Sequence, residues 1–268
     1  LCCVTDEIST DLDRAIRMGM EQGIRHYEIR SVAGCRFPLF PPEYMEALKK
    51  YREECGIVYS SVSPGVFKSK MCNSESGGLK ESACRMVFDA ARELDARRII
   101  IFAGSHEEGT AEYGRMVENI RNFIDLAQGE GFTVSLENSP NSCCCSAAET
   151  LRLVEAVGHD GLKLNWDPGN AAKKYGASYN DGFESIYEYI DNVHIKDAAV
   201  DDSGEIKYVP IGKGMVDYKG LISRLKNEGY KGCITIETHC KPPEEAFLES
   251  VGYLKNEILG PLGLIKKS

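Results

Sequence analysis

Short apolar runs alternate with longer amphipathic stretches from one end of the chain to the other. The short runs are rich in β-branched and aromatic residues and free of interior proline, which predicts strands over 1–4, 24–29, 57–62, 98–103, 132–137, 162–166, 192–196 and 233–237. The longer stretches place apolar residues at helical spacing and predict helices over 10–22, 42–55, 79–95, 110–129, 147–157, 182–189, 218–227 and 243–259. Several end at a glycine, as at Gly23, Gly56, Gly131 and Gly229, where a left-handed residue terminates a helix. Eight strands alternating with eight helices predict a parallel sheet closed on itself, an α/β chain forming a single (β/α)8 TIM barrel over 1–268. An open doubly wound sheet would also alternate, but no GxGxxG or GxxxxGK[ST] follows an early strand.

Composition narrows the function classes. With 43% hydrophobic and 27% charged residues, and a mean hydropathy of -0.29, the chain has the balance of a folded, water-soluble protein. It carries 32 basic and 41 acidic residues, a net charge of -9, so no global field attracts nucleic acid or an anionic membrane. The longest apolar runs, such as RIIIFAG at 98–104, fall short of the roughly 20 residues of a membrane span. The opening LCCVTDEIS lacks the basic start of a signal peptide, and a cytoplasmic location is expected. Eleven cysteines, an odd number in a chain long enough to bury its own core, read as reduced thiols. Cys143, Cys144 and Cys145 have neither the CxxC spacing nor the nearby histidine of a structural zinc site.

In a barrel of this kind, functional side chains gather at the carboxyl ends of the strands. The second strand ends in Glu28 and Arg30, the fourth runs into His106, the fifth ends in Glu137 and the sixth in Asp167. The seventh carries His194 and Lys196, and the eighth ends in Glu237 followed by His239. Four consecutive strands thus offer Glu137, Asp167, His194 and Glu237 at one level. Three carboxylates and an imidazole aimed at one centre repel or compete unless a divalent cation lies between them. An oxygen-rich set with one nitrogen and no thiolate suits one Mn²⁺ or Mg²⁺ ion, with Co²⁺ or Zn²⁺ also acceptable.

These residues stand in SLEN around Glu137, NWDPGN around Asp167, NVHIKD around His194 and TIETH around Glu237, with PIGKGMVDY at 210–218. In that order, one per successive strand, they resemble the xylose isomerase-like barrels of the sugar phosphate isomerase/epimerase group, which includes the D-tagatose 3-epimerase-like enzymes. The resemblance spans the whole chain. It implies that Glu137, Asp167, His194 and Glu237 hold one divalent ion and that Glu137 and Glu237 exchange protons with a substrate carbon. It also implies a small sugar substrate and a homo-oligomer. The epimerases often have a His three residues after the Asp and an Arg a few residues after the His. Here Asn170 fills the first place and no Arg lies between Lys196 and Lys213.

A metal-chelated ketose losing its α proton to one carboxylate passes through an enediolate. Return of a proton to the opposite face of the same carbon gives the epimer, and return to the adjacent carbon gives the aldose. Glu28, His106, Asn170 and Lys196 are candidates for positioning substrate hydroxyls, and Lys196 or Lys213 for holding an anionic group. Lys196 shares the strand face of His194 and needs an acidic partner, with Asp167 and Glu237 in reach. Lys213 has no Arg fork or Ser/Thr cluster beside it, so a neutral sugar or polyol-derived ketone is the expected substrate. Plainer readings make Glu28 and Arg30 an ion pair and the GKG at 212–214 an ordinary turn. Two other functions use comparable scaffolds. A metal-dependent apurinic endonuclease needs a histidine-rich trinuclear zinc centre and a basic groove, against which stand five histidines and the acidic net charge. A non-catalytic sugar-binding barrel would keep the pocket without turnover.

Overall fold

A strand covered on both faces has no solvent side, which is why Ile99, Ile100 and Ile101 run without a polar interruption and are fully buried. In the computed structural model, which describes residues 1–68, 78–176 and 178–265, eight such strands close into a parallel barrel. In chain order they are Cys2–Val4, His26–Ile29, Val58–Val66, Arg98–Ile101, Thr133–Glu137, Leu162–Trp166, Ile190–Ile195 and Cys233–Ile236. Each pairs with the next, and the last returns to the first with Cys2 opposite Thr235. Every expected strand is present. The third continues past its expected end at Val62, and its pairing with the fourth shifts between Val62 and Val66. Pro64, which has no N–H to donate, lies in that interval.

The helices Leu12–Glu21, Pro42–Cys55, Glu81–Glu93, Ala111–Gly129, Ala147–Val157, Tyr218–Asn227 and Pro243–Tyr253 surround the barrel where helical spacing predicts them. Their ends have local causes. Ser146 and Glu149 form a capping box at the start of Ala147–Val157, satisfying two otherwise unpaired donors. Gly56, at φ 64°, closes Pro42–Cys55. The segment expected as one helix over 182–189 is a single helical turn, Phe183–Ile186, followed by the 3₁₀ turn Tyr187–Tyr189.

Three elements near the carboxyl ends of the strands escape the apolar pattern. A short helix, Pro168–Tyr175, follows the sixth strand directly, capped by Asp167, whose Oδ1 accepts the Asn170 N–H at 3.1 Å. One hairpin pairs Ser31–Val32 with Cys35–Arg36, and another pairs Asp197–Val200 with Ile206–Val209.

The second hairpin leads into residues 210–218, which wrap around a buried carboxylate. Asp197 accepts backbone N–H bonds from Ala198 at 2.9 Å, Gly212 at 2.9 Å, Gly214 at 3.0 Å and Val216 at 3.1 Å. The wrap is so close that a Cβ at Gly214 would strike the Asp197 carboxylate, so only glycine fits. This corrects the expectation for Lys213. The amide groups of its loop face inward to Asp197, while the Lys213 side chain is 61% exposed and pairs with Glu249 at 3.0 Å. Asp197→Ala would leave four donors without a charged acceptor, and urea unfolding should register a loss of about 2–4 kcal/mol. A loss below about 0.5 kcal/mol would mean that the loop closes without the carboxylate.

Candidate active site

Strand register sets the level of the side chains at the barrel mouth. Glu137 pairs beside Asn165, two residues before Asp167, and His194 pairs beside Thr235, two residues before Glu237. Glu137, Asp167, His194 and Glu237 are all buried, and each offers one ligand atom within 4.8 Å of the others. The sequence-predicted quartet therefore converges on one point.

Lys196 stands among these carboxylates. Its Nζ lies 2.6 Å from Glu237 Oε2, 2.8 Å from Asp167 Oδ2 and 3.4 Å from Glu137 Oε1. Asp167 Oδ2 nonetheless accepts no well-directed hydrogen bond and is fully enclosed. An enclosed carboxylate oxygen aimed at two other carboxylates and an imidazole fits a divalent cation, and the donors are hard ones. Burial pushes the Asp167 carboxyl up to about 6, against the pull of Lys196. Burial also opposes ionisation of Glu237, but Lys196, His239 and His194 hold it well below the usual carboxylate range. Desolvation works against a charged His194, yet Glu28, Glu137 and Glu237 hold its pKa well above the usual imidazole value.

The ring of His194 is held at both nitrogens. Nε2 lies 2.9 Å from Glu28 Oε2, and Nδ1 lies 2.8 Å from Glu237 Oε2 and 3.5 Å from Glu137 Oε2. Glu28 also accepts from Ser61 Oγ at 2.8 Å. Glu28, expected to meet substrate hydroxyls, is instead completely buried and orients the histidine, the arrangement that fixes a ligating imidazole. Asn170 is also buried and serves Glu137. Its Nδ2 lies 3.4 Å from Glu137 Oε1 and donates to the Asn138 carbonyl at 2.8 Å, while its Oδ1 accepts from Tyr208 at 2.7 Å. Asn165 Nδ2 contacts the other Glu137 oxygen at 3.2 Å. His106 is exposed and lines a separate cavity of about 210 Å³ with Phe67 and Arg115, bordered by none of the quartet.

Arg30 does not pair with Glu28. Its guanidinium binds Asp6 at 2.8 and 3.0 Å, Glu7 at 2.6 Å, and Glu237. Glu7 in turn accepts the His239 N–H at 2.7 Å and faces His239 Nδ1 at 2.6 Å. Glu7, Glu237 and His239 also bring ligand atoms within 4.8 Å, but Arg30 already bridges the two carboxylates. Asp6 and Glu7 went unnoticed in the sequence, although the strand-end rule that singled out Glu137 applies equally to the first strand.

A family model described as xylose isomerase-like TIM barrel matches residues 19–257. The inosose dehydratase of Serratia proteamaculans is 24% identical over 164 residues, covering 54% of this chain and 55% of that protein. The chain spans about half the length of the first curated relatives it matches. A putative L-ribulose-5-phosphate 3-epimerase, SgbU of Escherichia coli, is 22% identical over 219 residues, 74% of this chain and 76% of that one. Among solved structures, the probable 3-DHS dehydratase AsbF from Bacillus anthracis has the same fold, with a TM-score of 0.76 and 18% identity, covering 95% and 98% of the two chains. With the family model spanning the barrel from its first helix to just beyond Pro243–Tyr253, the chain belongs to the xylose isomerase-like TIM barrel family.

Proposed function

We propose that this protein is a divalent-metal-dependent enzyme that isomerises or epimerises a sugar by moving a proton at the carbon beside a ketose carbonyl. The observation that carries this reading is the pair Glu137 and Glu237, placed by the fifth and eighth strands around one centre with Asp167 and His194. The quartet would hold the ion, with Mn²⁺ or Mg²⁺ the best match to its donors. Once bound, such an ion supplies Lewis-acid polarisation of the substrate carbonyl, which acidifies the neighbouring C–H.

The chain's own residues divide the remaining work. Glu237, kept ionised by its cationic neighbours, is in the protonation state that a proton acceptor needs. Arg30 holds the Glu237 oxygen turned away from Lys196, so the carboxylate cannot rotate freely. Asn165 and Asn170 fix Glu137 in the same way. A proton delivered by Glu137 to the opposite face of the same carbon yields the epimer, and to the adjacent carbon the aldose. The dehydratases among the relatives favour a second reading, in which the same proton is removed and a β-hydroxyl then leaves as water. Product mass separates the two.

Deuterium exchange tests the proposal directly. Protein loaded with Mn²⁺ should place solvent deuterium on the α carbon of at least one ketose in a panel. A purely sugar-binding barrel would gain thermal stability from the metal without exchange. Glu137→Gln and Glu237→Gln should each slow exchange by at least about a hundredfold, the usual contribution of a positioned acid or base. Rates of both variants within about tenfold of the parent would rule out the two-carboxylate mechanism.

Metal affinity provides a separate measurement. Calorimetry on chelator-treated protein should show one Mn²⁺ per chain, with Asp167→Asn and His194→Ala each weakening binding at least about tenfold. Unchanged affinity in both variants would place the ion elsewhere.

A further inference from the structure

The mouth of the barrel continues past Glu237 into a cavity of about 810 Å³. Its charged lining includes Arg30, Arg36, Lys68 and Glu237. Arg30 is fully engaged by Asp6, Glu7 and Glu237. Arg36 and Lys68 differ from it. Among the described residues neither forms an ion pair, and the ammonium of Lys68 rests 4.2 Å above the Phe102 ring, a contact that leaves its N–H donors free. Arg36 is half-buried on the Cys35–Arg36 strand, paired across the hairpin with Ser31. Lys68 closes the stretch that follows the third barrel strand, within electrostatic range of Glu137, Glu237 and Arg36.

The carboxylates nearby, Asp6, Glu7 and Glu237, are taken up by Arg30, Lys196 and the two histidines, and two neighbouring cations with no direct ion-pair partner are an unfavourable arrangement in a cavity partly closed to water. Burial and the charge of Arg30 both act against protonation of Arg36. An anionic ligand removes the conflict, and the chemistry suits it: a guanidinium fork matches planar or tetrahedral oxyanions, and an ammonium adds a point charge. We propose that Arg36 and Lys68 form a receptor for an anionic group of the substrate, a phosphate ester or a carboxylate, in the cavity that opens onto Glu237. The inference rests on the reading of Glu237 as a proton-transfer group acting on a sugar, and it replaces the neutral substrate expected from the sequence. The receptor comes from two loops rather than from Lys196, which the carboxylates occupy, or Lys213, which faces solvent. A local cationic patch is also what an anionic substrate needs to approach a chain of net charge -9.

The test begins with binding. Inorganic phosphate and acetate are titrated separately into the metal-loaded protein by calorimetry. One of the two should bind at a single site, phosphate indicating an ester and acetate a carboxylate. Arg36→Gln combined with Lys68→Gln should weaken that binding at least about tenfold, while Arg36→Lys, which keeps the charge, should lose less. Circular dichroism and the unfolding temperature of each variant establish that it is folded. Deuterium exchange then compares matched neutral and anionic ketoses, and kcat/KM should favour the anionic member at least about a hundredfold in the parent, an advantage lost in the double variant through KM. Absence of binding for both anions, equal binding by the folded double variant, or equal exchange of neutral and anionic ketoses would each overturn the receptor. Exchange of neutral ketoses without anion binding removes the receptor and leaves the proposed reaction. Saturable anion binding lost on substitution, with no exchange on any ketose, supports the receptor and removes the reaction.

Discussion

Three carboxylates enclosed at one point are the constraint to which the upper layer of this barrel responds. At such separations and away from water their mutual repulsion amounts to several kcal/mol, so positive charge has to be supplied from within the fold. His194, on the seventh strand, and Lys196, just past its end, meet Glu137, Asp167 and Glu237 from the inside, and Arg30 meets Glu237 from the rim. Each cation must then be held in place. Glu28 fixes His194, and the Tyr218 hydroxyl clasps the backbone of Lys196, accepting from its N–H at 3.0 Å and donating to its carbonyl. Gly169 completes the fit, because a Cβ there would collide with the same carbonyl.

What the sequence discloses follows from how local each feature is. A strand buried on both faces must be apolar over its whole length, so Ile99 to Ile101 announce themselves, and the residue just past such a run is placed at the mouth by topology alone. That reasoning reaches Glu137, Asp167, His194 and Glu237 without any contact being known. It fails where a residue's role depends on a partner distant in the chain. A Gly-Lys-Gly turn looks the same whether its amides face an outside anion or an inside carboxylate, and the difference here is Asp197, 15 residues before Gly212. Glu28 and Arg30 look like a pair on one strand, yet one turns inward to His194 and the other outward to Asp6 and Glu7. The short hairpins carry too few residues for a period to show, which hides Arg36.

Proteins named as dehydratases and as an epimerase are among those that share sequence with this barrel. Fold similarity at 18% identity to a dehydratase identifies the architecture, whereas the outcome of a proton transfer depends on what surrounds the carbon that loses it. In this chain the walls of the site are formed by asparagine side chains on Glu137, an arginine on Glu237 and the hairpin that brings Tyr208 to Asn170. These supports, more than the quartet itself, give the site an individual character.

The network joining Arg30 to Glu237, and His239 to Glu7, sits on the seam where the first strand meets the last. Its partners are separated by 207 and 232 residues along the chain. Contacts of such range are the costliest to close during folding and tend to form late. A ribosome-bound chain still missing its last strand already carries Asp6, Glu7 and Arg30 but has no Glu237 for them to organise. Glu237 thus joins Glu137, Asp167 and His194 only in the event that seals the barrel, and an unfinished chain carries three of the four converging side chains with no fourth to close the set.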